Sequence, residues 1–285
     1  MGSTAYAAPN PPFGATLTYY LPETPQNPSD VREEREGELR EQDADIPFPG
    51  YETLWEEVGE SGPKVFLQVS DDAGESVNWV EGPARAGVHR VAWDLRRPAP
   101  DPIDLSIPAF VPPWASDPMG PLAAPGTYSV QMLLVTASGV QEVGASQAFE
   151  VKPVPTAPPG TDFVAVADFQ YRTSELQRRI GVASSELGRQ SDRLRYMRAA
   201  LARTPTADPG LFGQIDDVRR AFDDIRRRLQ GDRVRGSLNE STVPSISNRV
   251  GNVINGHWST RQAPTATQRR NIEIAQRDFA ELERE

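Results

Sequence analysis

Proline is confined to one part of this chain: 23 of its 27 prolines precede residue 161. Proline lacks the amide donor of a helix interior and its ring clashes with the preceding turn. Long helices are thereby restricted to the C-terminal part. Charge divides at the same place. Residues 1–160 carry 9 basic and 23 acidic side chains, whereas residues 161–285 carry 21 and 17. A chain of 285 residues is long enough for two domains with separate cores.

In the first part, apolar residues recur at every second position in short runs bounded by Gly, Pro and Asp, the pattern of half-buried strands. Leu17, Tyr19 and Leu21 form one set, Val65, Leu67 and Val69 a second, and Val91, Trp93 and Leu95 a third. Tyr128, Val130, Met132 and Leu134 form a fourth, and Phe149 and Val151 close a last strand. Turns are predicted at Asp72–Gly74 and Ala137–Gly139. Some six strands without a helical pattern between them predict an immunoglobulin-like antiparallel β-sandwich over residues 10–152. Two stretches interrupt it. Residues 22–62 form an acidic insertion, whose charge run predicts a solvated or partly disordered excursion, and residues 98–125 carry nine prolines around Trp114. The latter reads as an ordered crossover between sheets anchored by Trp114.

A proline-rich linker, 153–161, leads to a predicted antiparallel α-helical bundle over 162–285. Its first helix runs to about residue 203. One seam holds Ile180, Leu187, Leu194 and Leu201, the other Phe169, Leu176, Ala183 and Met197. Asp208-Pro209 starts a second helix with Leu211, Ile215, Val218, Phe222, Ile225 and Leu229 on one face, ended by Gly231. Ile246, Val250, Val253 and Ile254 mark a short third helix. A last helix starts at Thr265, whose spacing to Gln268 fits a capping box, and buries Ile272, Ala275, Phe279 and Leu282. The second helix is too short to cover the first, which spans about 60 Å at 1.5 Å per residue. Phe169 and Leu176 must therefore be covered by Ile246, Val250 or Trp258 together with Phe279 or Ile272.

No constellation of residues marks a catalytic, cofactor-binding or metal site, so none is assigned, and no cofactor is expected. The two histidines, His89 in a strand and His257 in a loop beside Trp258, stand in no ligand or nucleophile spacing. Asp43 and Asp45 match no calcium loop. Asp94, an acid or base by type, is expected to cap the turn after its strand. Asp216, Asp217, Asp223 and Asp224 lie among arginines at helical spacing and read as surface ion pairs, Asp216 with Arg220 and Asp224 with Arg228. Ser70, Asp72, Gly74 and Ser76 reproduce an Asp-box spacing, but Trp79 falls two positions late and there is one copy where a propeller needs several. A net charge of -10 argues against nucleic acid or anionic lipid as partner, and no apolar run approaches the roughly 20 residues that span a bilayer. The opening residues lack the basic and apolar regions of a signal peptide.

Three stretches, Asn10–Leu21, Gly87–Pro100 and Gly120–Met132, resemble the C-terminal region of bacterial sortilin-like propeller proteins with BNR repeats, often labelled glycosyl hydrolases. The likeness continues through Leu176–Leu187, Arg227–Asp232, Pro244–Val250 and Ala263–Arg270. The sandwich stretches are also similar to the Ig-like domain of flagellar hook-capping proteins. The first resemblance implies an accessory region of an exported, periplasmic or extracellular protein, packed on a β-propeller in cis or in trans. No propeller is present here, so any hydrolase activity would belong to residues outside this sequence. The chain is expected to be a separated C-terminal fragment or a stand-alone gene product. A carbohydrate-binding or glycoside-hydrolase-associated unit using the sandwich loops is the alternative.

Overall fold

A computed structural model describes residues 10–103, 105–106, 108, 110–115, 117–154 and 159–284. Part of the predicted linker, 155–158, lies outside the described residues. The class is mixed α and β, with six strands in two antiparallel sheets and seven helices among the described residues. Two compact units make up the chain. One comprises residues 1–96 and 125–154, the other 97–124 and 155–285.

In the first unit β1 (Ala15–Leu21) pairs antiparallel with β4 (Gly87–Trp93) as a two-stranded sheet. The other sheet has the order β3-β2-β5-β6, from β2 (Lys64–Ser70), β3 (Ser76–Gly82), β5 (Gly126–Thr136) and β6 (Gly139–Val151). The alternation read from sequence is realised in β1 and β2: Leu17, Tyr19 and Leu21 are buried, as are Val65, Leu67 and Val69. Both turns form where predicted. The first is organised by Asp71, whose Oδ1 accepts from the amides of Ala73 (3.1 Å) and Glu75 (2.9 Å), with Gly74 at φ +81°. Trp93 is 1 % exposed and packs edge-on against Tyr128 at 5.3 Å and Phe149 at 6.2 Å, while its Nε1–H donates to the Arg96 carbonyl at 2.8 Å. Leu95, expected to extend that strand, instead has φ +61° beyond its end.

The acidic insertion is solvated, as its charge run predicts, but it contains two helices where partial disorder was the other expectation. It forms α1 (Pro28–Glu41) and α2 (Tyr51–Val58). Neither helix buries a residue, so the period that betrays a helix against a core is missing. Polar contacts hold the pair: the Arg32 guanidinium donates in two-pronged fashion to Glu57 (2.6 and 2.7 Å) and also to Glu36 (2.7 Å). The paired arginine holds the Glu57 carboxyl below its ordinary range. Asn27, buried before α1, donates from Nδ2 to the Ser61 carbonyl at 2.9 Å and accepts at Oδ1 from the Ala137 amide at 3.4 Å.

The second unit is built on α3 (Phe163–Leu201), with α4 (Gly210–Gln230), α5 (Arg233–Ser237), α6 (Ile246–His257) and α7 (Ala266–Leu282). α4 runs back along α3: Arg198 pairs with Asp216, and Arg226 donates to Ser191 Oγ. Gly231 ends α4 at φ +107°, a conformation that favours glycine. Thr265 and Gln268 form the capping box of α7. Leu176 and Ile180 are buried with Leu229, Val250, Ile272 and Phe279 in one cluster, with Phe169 packed against it. The N-terminal half of α3 is therefore covered as its length requires. Its far end is less so, and Met197, expected on an inner seam, is exposed.

Residues 97–124 belong with these helices and not with the sheets, which differs from the sequence-based boundary. The Arg97 guanidinium stacks on the Tyr171 ring at 4.3 Å, and Pro102 lies so close to α3 that a Cβ on Gly181 would meet its ring at 2.9 Å. Trp114, expected to anchor this segment, is 82 % exposed.

Candidate functional site

In the sheet unit a cleft of about 490 Å³ lies beside β1. Five consecutive residues, 15–19, line it, so the strand presents its edge there and not one face. Its floor is the inner face of the four-stranded sheet, where Leu67 stands opposite Met132 and Val69 opposite Val130. Val130 and Met132, expected in the core, are only half-buried because they look into the cleft. The far wall is β6, through Val143, Ala145 and residues 147–149. Where it faces the cleft, β6 is bulged: Val130 pairs with Gln147 but Met132 with Val143, and Gly144 has φ +70°. The Gln131 side-chain amide fixes the bulge by donating to the carbonyls of Met132 (3.1 Å), Val143 (3.3 Å) and Gly144 (3.3 Å).

No lining residue of this cleft carries a charge. Tyr19, its one ionisable group, donates its hydroxyl to the Pro83 carbonyl at 2.7 Å, and burial pushes its phenol up from the ordinary value. The cleft therefore offers apolar surface and backbone hydrogen-bonding groups in place of acid–base chemistry.

A second surface of note is α2. Tyr51, Leu54, Trp55 and Val58 fall at i, i+3, i+4 and i+7, one stripe of a helix. Tyr51, Trp55 and Val58 are 75 %, 74 % and 79 % exposed, and Phe48, also exposed, packs edge-on against Tyr51 at 5.0 Å. Sequence reading missed this stripe because the surrounding Glu, Pro and Gly content dominated the segment, although the spacing was there to be counted.

The residues weighed from sequence have structural partners. Asp94 Oδ1 accepts from the Arg96 amide at 3.0 Å, the turn cap expected of it. His89 is buried, with its Nε2 at 2.7 Å from the Arg85 carbonyl and its ring 5.3 Å from that of Tyr19. His257 is the last residue of α6, not a loop residue, and it is 1 % exposed. Asp216 pairs with Arg198 and Arg219, Asp217 with Arg220, Asp223 with Arg219 and Arg226, and Asp224 with Arg227. Within α4 these pairs fall mostly three residues apart where four was expected. Among the Asp-box residues, Ser76 Oγ accepts from the Trp79 indole at 3.1 Å, and the turn carboxylate is Asp71 and not Asp72. Among the described residues no three metal-ligating side chains converge, and no helix is long and apolar enough to cross a membrane.

The helical unit has a smaller cavity of about 220 Å³ between α3 and α6, bordered by Pro100 and Pro102. Gln177 lines it, and its buried Oε1 has no hydrogen-bond partner among the described residues. Comparison with protein-family models, curated proteins and solved structures returns no match for this chain.

Proposed function

We propose that this chain is a non-catalytic structural and interaction module that packs on a larger protein. Its sheet unit would be an Ig-like sandwich and its helical unit an antiparallel bundle. The sequence resemblance suggests the partner, a β-propeller supplied in cis or in trans. The observation that carries the reading is the uncovered α2 stripe of Tyr51, Trp55 and Val58, three large apolar side chains left about three-quarters exposed on a single helical face. Contiguous apolar surface of this kind marks contact sites, and Trp and Tyr are the residues most enriched at their centres.

The alternative, carbohydrate binding, draws on the exposed Trp114. The uncharged lining of the cleft weighs against the hydrolytic form of that alternative, because glycoside hydrolysis needs paired carboxylates. The test is binding of the full chain to the propeller of a sortilin-like protein from the same genome, by sedimentation and interferometry, with a glycan array alongside. Binding that falls at least about tenfold in Tyr51→Ala/Trp55→Ala is the expected result. Saturable glycan binding that depends on Trp114, with no propeller complex, would replace this reading with the alternative.

A further inference from the structure

β1 reads ATLTYYL over its whole length and pairs with β4 through seven consecutive residues without a register shift. Among the described residues it is one of two strands in its sheet, so its second edge has no strand partner there. Folded proteins guard such edges with lysine, proline, bulges or inward charges, because a bare row of amides and carbonyls recruits another strand. β1 has none of these devices. Across the cleft, β6 has one, the bulge at Gly144, so a strand entering between them would find β1 open and β6 irregular.

We infer that the cleft between β1 and β6 is a docking groove for a single extended segment of a partner protein, added as a strand to the free edge of β1. This rests on the reading of the chain as an interaction module and names how one partner segment is held. Three features specify the occupant. The free edge selects an extended backbone, since its amides and carbonyls repeat at strand spacing. The apolar floor of Leu67, Val130 and Met132 selects apolar side chains at alternate positions, and the cleft lining has no charge to match a charged one. The sheet unit around it carries 20 acidic against 8 basic side chains, a net charge of -12, so Lys or Arg flanking the apolar core of the segment is favoured on approach. A second copy of this chain is disfavoured, because the groove is walled by β6 and a second sheet does not fit where one strand does.

The test pans a displayed library of random peptides, about twelve residues long to exceed the strand, against the full-length chain. A parallel pan uses Ala145→Arg/Ala148→Arg, which places two charges in the groove from exposed positions on β6. Expected are enriched peptides with alternating apolar residues and basic flanks, and affinities at least about tenfold weaker for the variant. Amide hydrogen exchange should slow in residues 15–21 when an enriched peptide is bound. Absence of enrichment, binders indifferent to the two arginines, or protection elsewhere on the molecule overturns the groove. So does concentration-dependent protection of β1 without peptide, which assigns the edge to a second copy. A propeller complex that survives the arginine variant while no peptide is enriched overturns the groove alone and leaves the interaction-module reading standing. Peptide binding at the groove with no propeller complex does the reverse.

Discussion

The side-chain amide of Gln170 donates to both the ring Nδ1 (3.2 Å) and the main-chain carbonyl (2.9 Å) of His257, a residue 87 positions later in the chain. The other ring nitrogen, Nε2, lies 3.0 Å from the Gln262 carbonyl, which can only accept. The imidazole is therefore neutral, with its proton on Nε2. A second proton on Nδ1 would face the NH₂ group of Gln170. Burial holds the His257 imidazole below its ordinary value, and the Gln262 carbonyl opposes this in part.

A pH dependence follows. The unfolded imidazole gains a proton as pH falls through about 6.5, while the folded one still refuses it. The unfolded state then binds more protons, so stability declines downward from about pH 6.5 until the folded group titrates. Urea melts between about pH 7.5 and 5 should show this slope in the wild type and a shallower one in His257→Gln. Equal slopes would mean that carboxylates and not His257 dominate the acid limb.

Trp93→Ala should cost about 3 to 5 kcal/mol, as truncation of core aromatics does. The indole is sealed against Tyr128 and Phe149, and its removal also leaves the Arg96 carbonyl without that donor. Chemical denaturation followed by the remaining tyrosines and tryptophans measures it. A loss under about 1 kcal/mol would show that the two sheets do not share this contact.

Gly120→Ala should loosen the proline-rich segment from the helical unit. A Cβ there would stand 1.9 Å from the Arg97 carbonyl oxygen and 2.4 Å from that of Pro98, both backbone atoms that cannot step aside. The expected loss is about 2 kcal/mol or more, with faster hydrogen exchange at the Arg97 amide, which now donates to Pro121 at 2.9 Å. Unchanged exchange at Arg97 would refute the close approach.

Asn27→Ala should free α1 without unfolding the sheets. It removes the contacts to Ser61 and Ala137 from a buried position, a cost of about 1 to 3 kcal/mol if the former partners stay dry. Proteolysis within α1 should accelerate while the protected β2 and β5 amides keep their rates. Uniform loss of protection would indicate that Asn27 supports the whole unit.

The strands and the long helices were legible in the sequence because each has a buried face, and burial imposes a period on the side chains. Leu17, Tyr19 and Leu21 alternate, and Ile272, Ala275, Phe279 and Leu282 step by three and four. The same logic explains the misses. α1 buries nothing and is held by Arg32–Glu57, Ser29–Glu60 and Asn27, contacts with no periodic trace. Trp114 read as an anchor because tryptophan is usually covered, yet its segment packs through Arg97, Pro102 and Gly120. His257, expected in a loop, is buried because α6 continues through Gly256 and its last turn carries the imidazole inward. The cleft had no signature of its own: Val130 and Met132 follow the core pattern, and only the missing neighbour of β1 leaves them half-buried.

The chain enters the sheet unit, leaves it after Arg96, returns at Pro125 and departs again after Val154, so the two units are interleaved along one polypeptide. During synthesis, a ribosome that has passed residue 124 has released β1 to β4 without the strand that completes β2, and a proline-rich segment without the helix that receives it. Neither unit finishes until the other has begun. A stop codon, a protease cut or a recombination junction between residues 97 and 154 leaves neither unit whole, so across that stretch the two are kept or lost together.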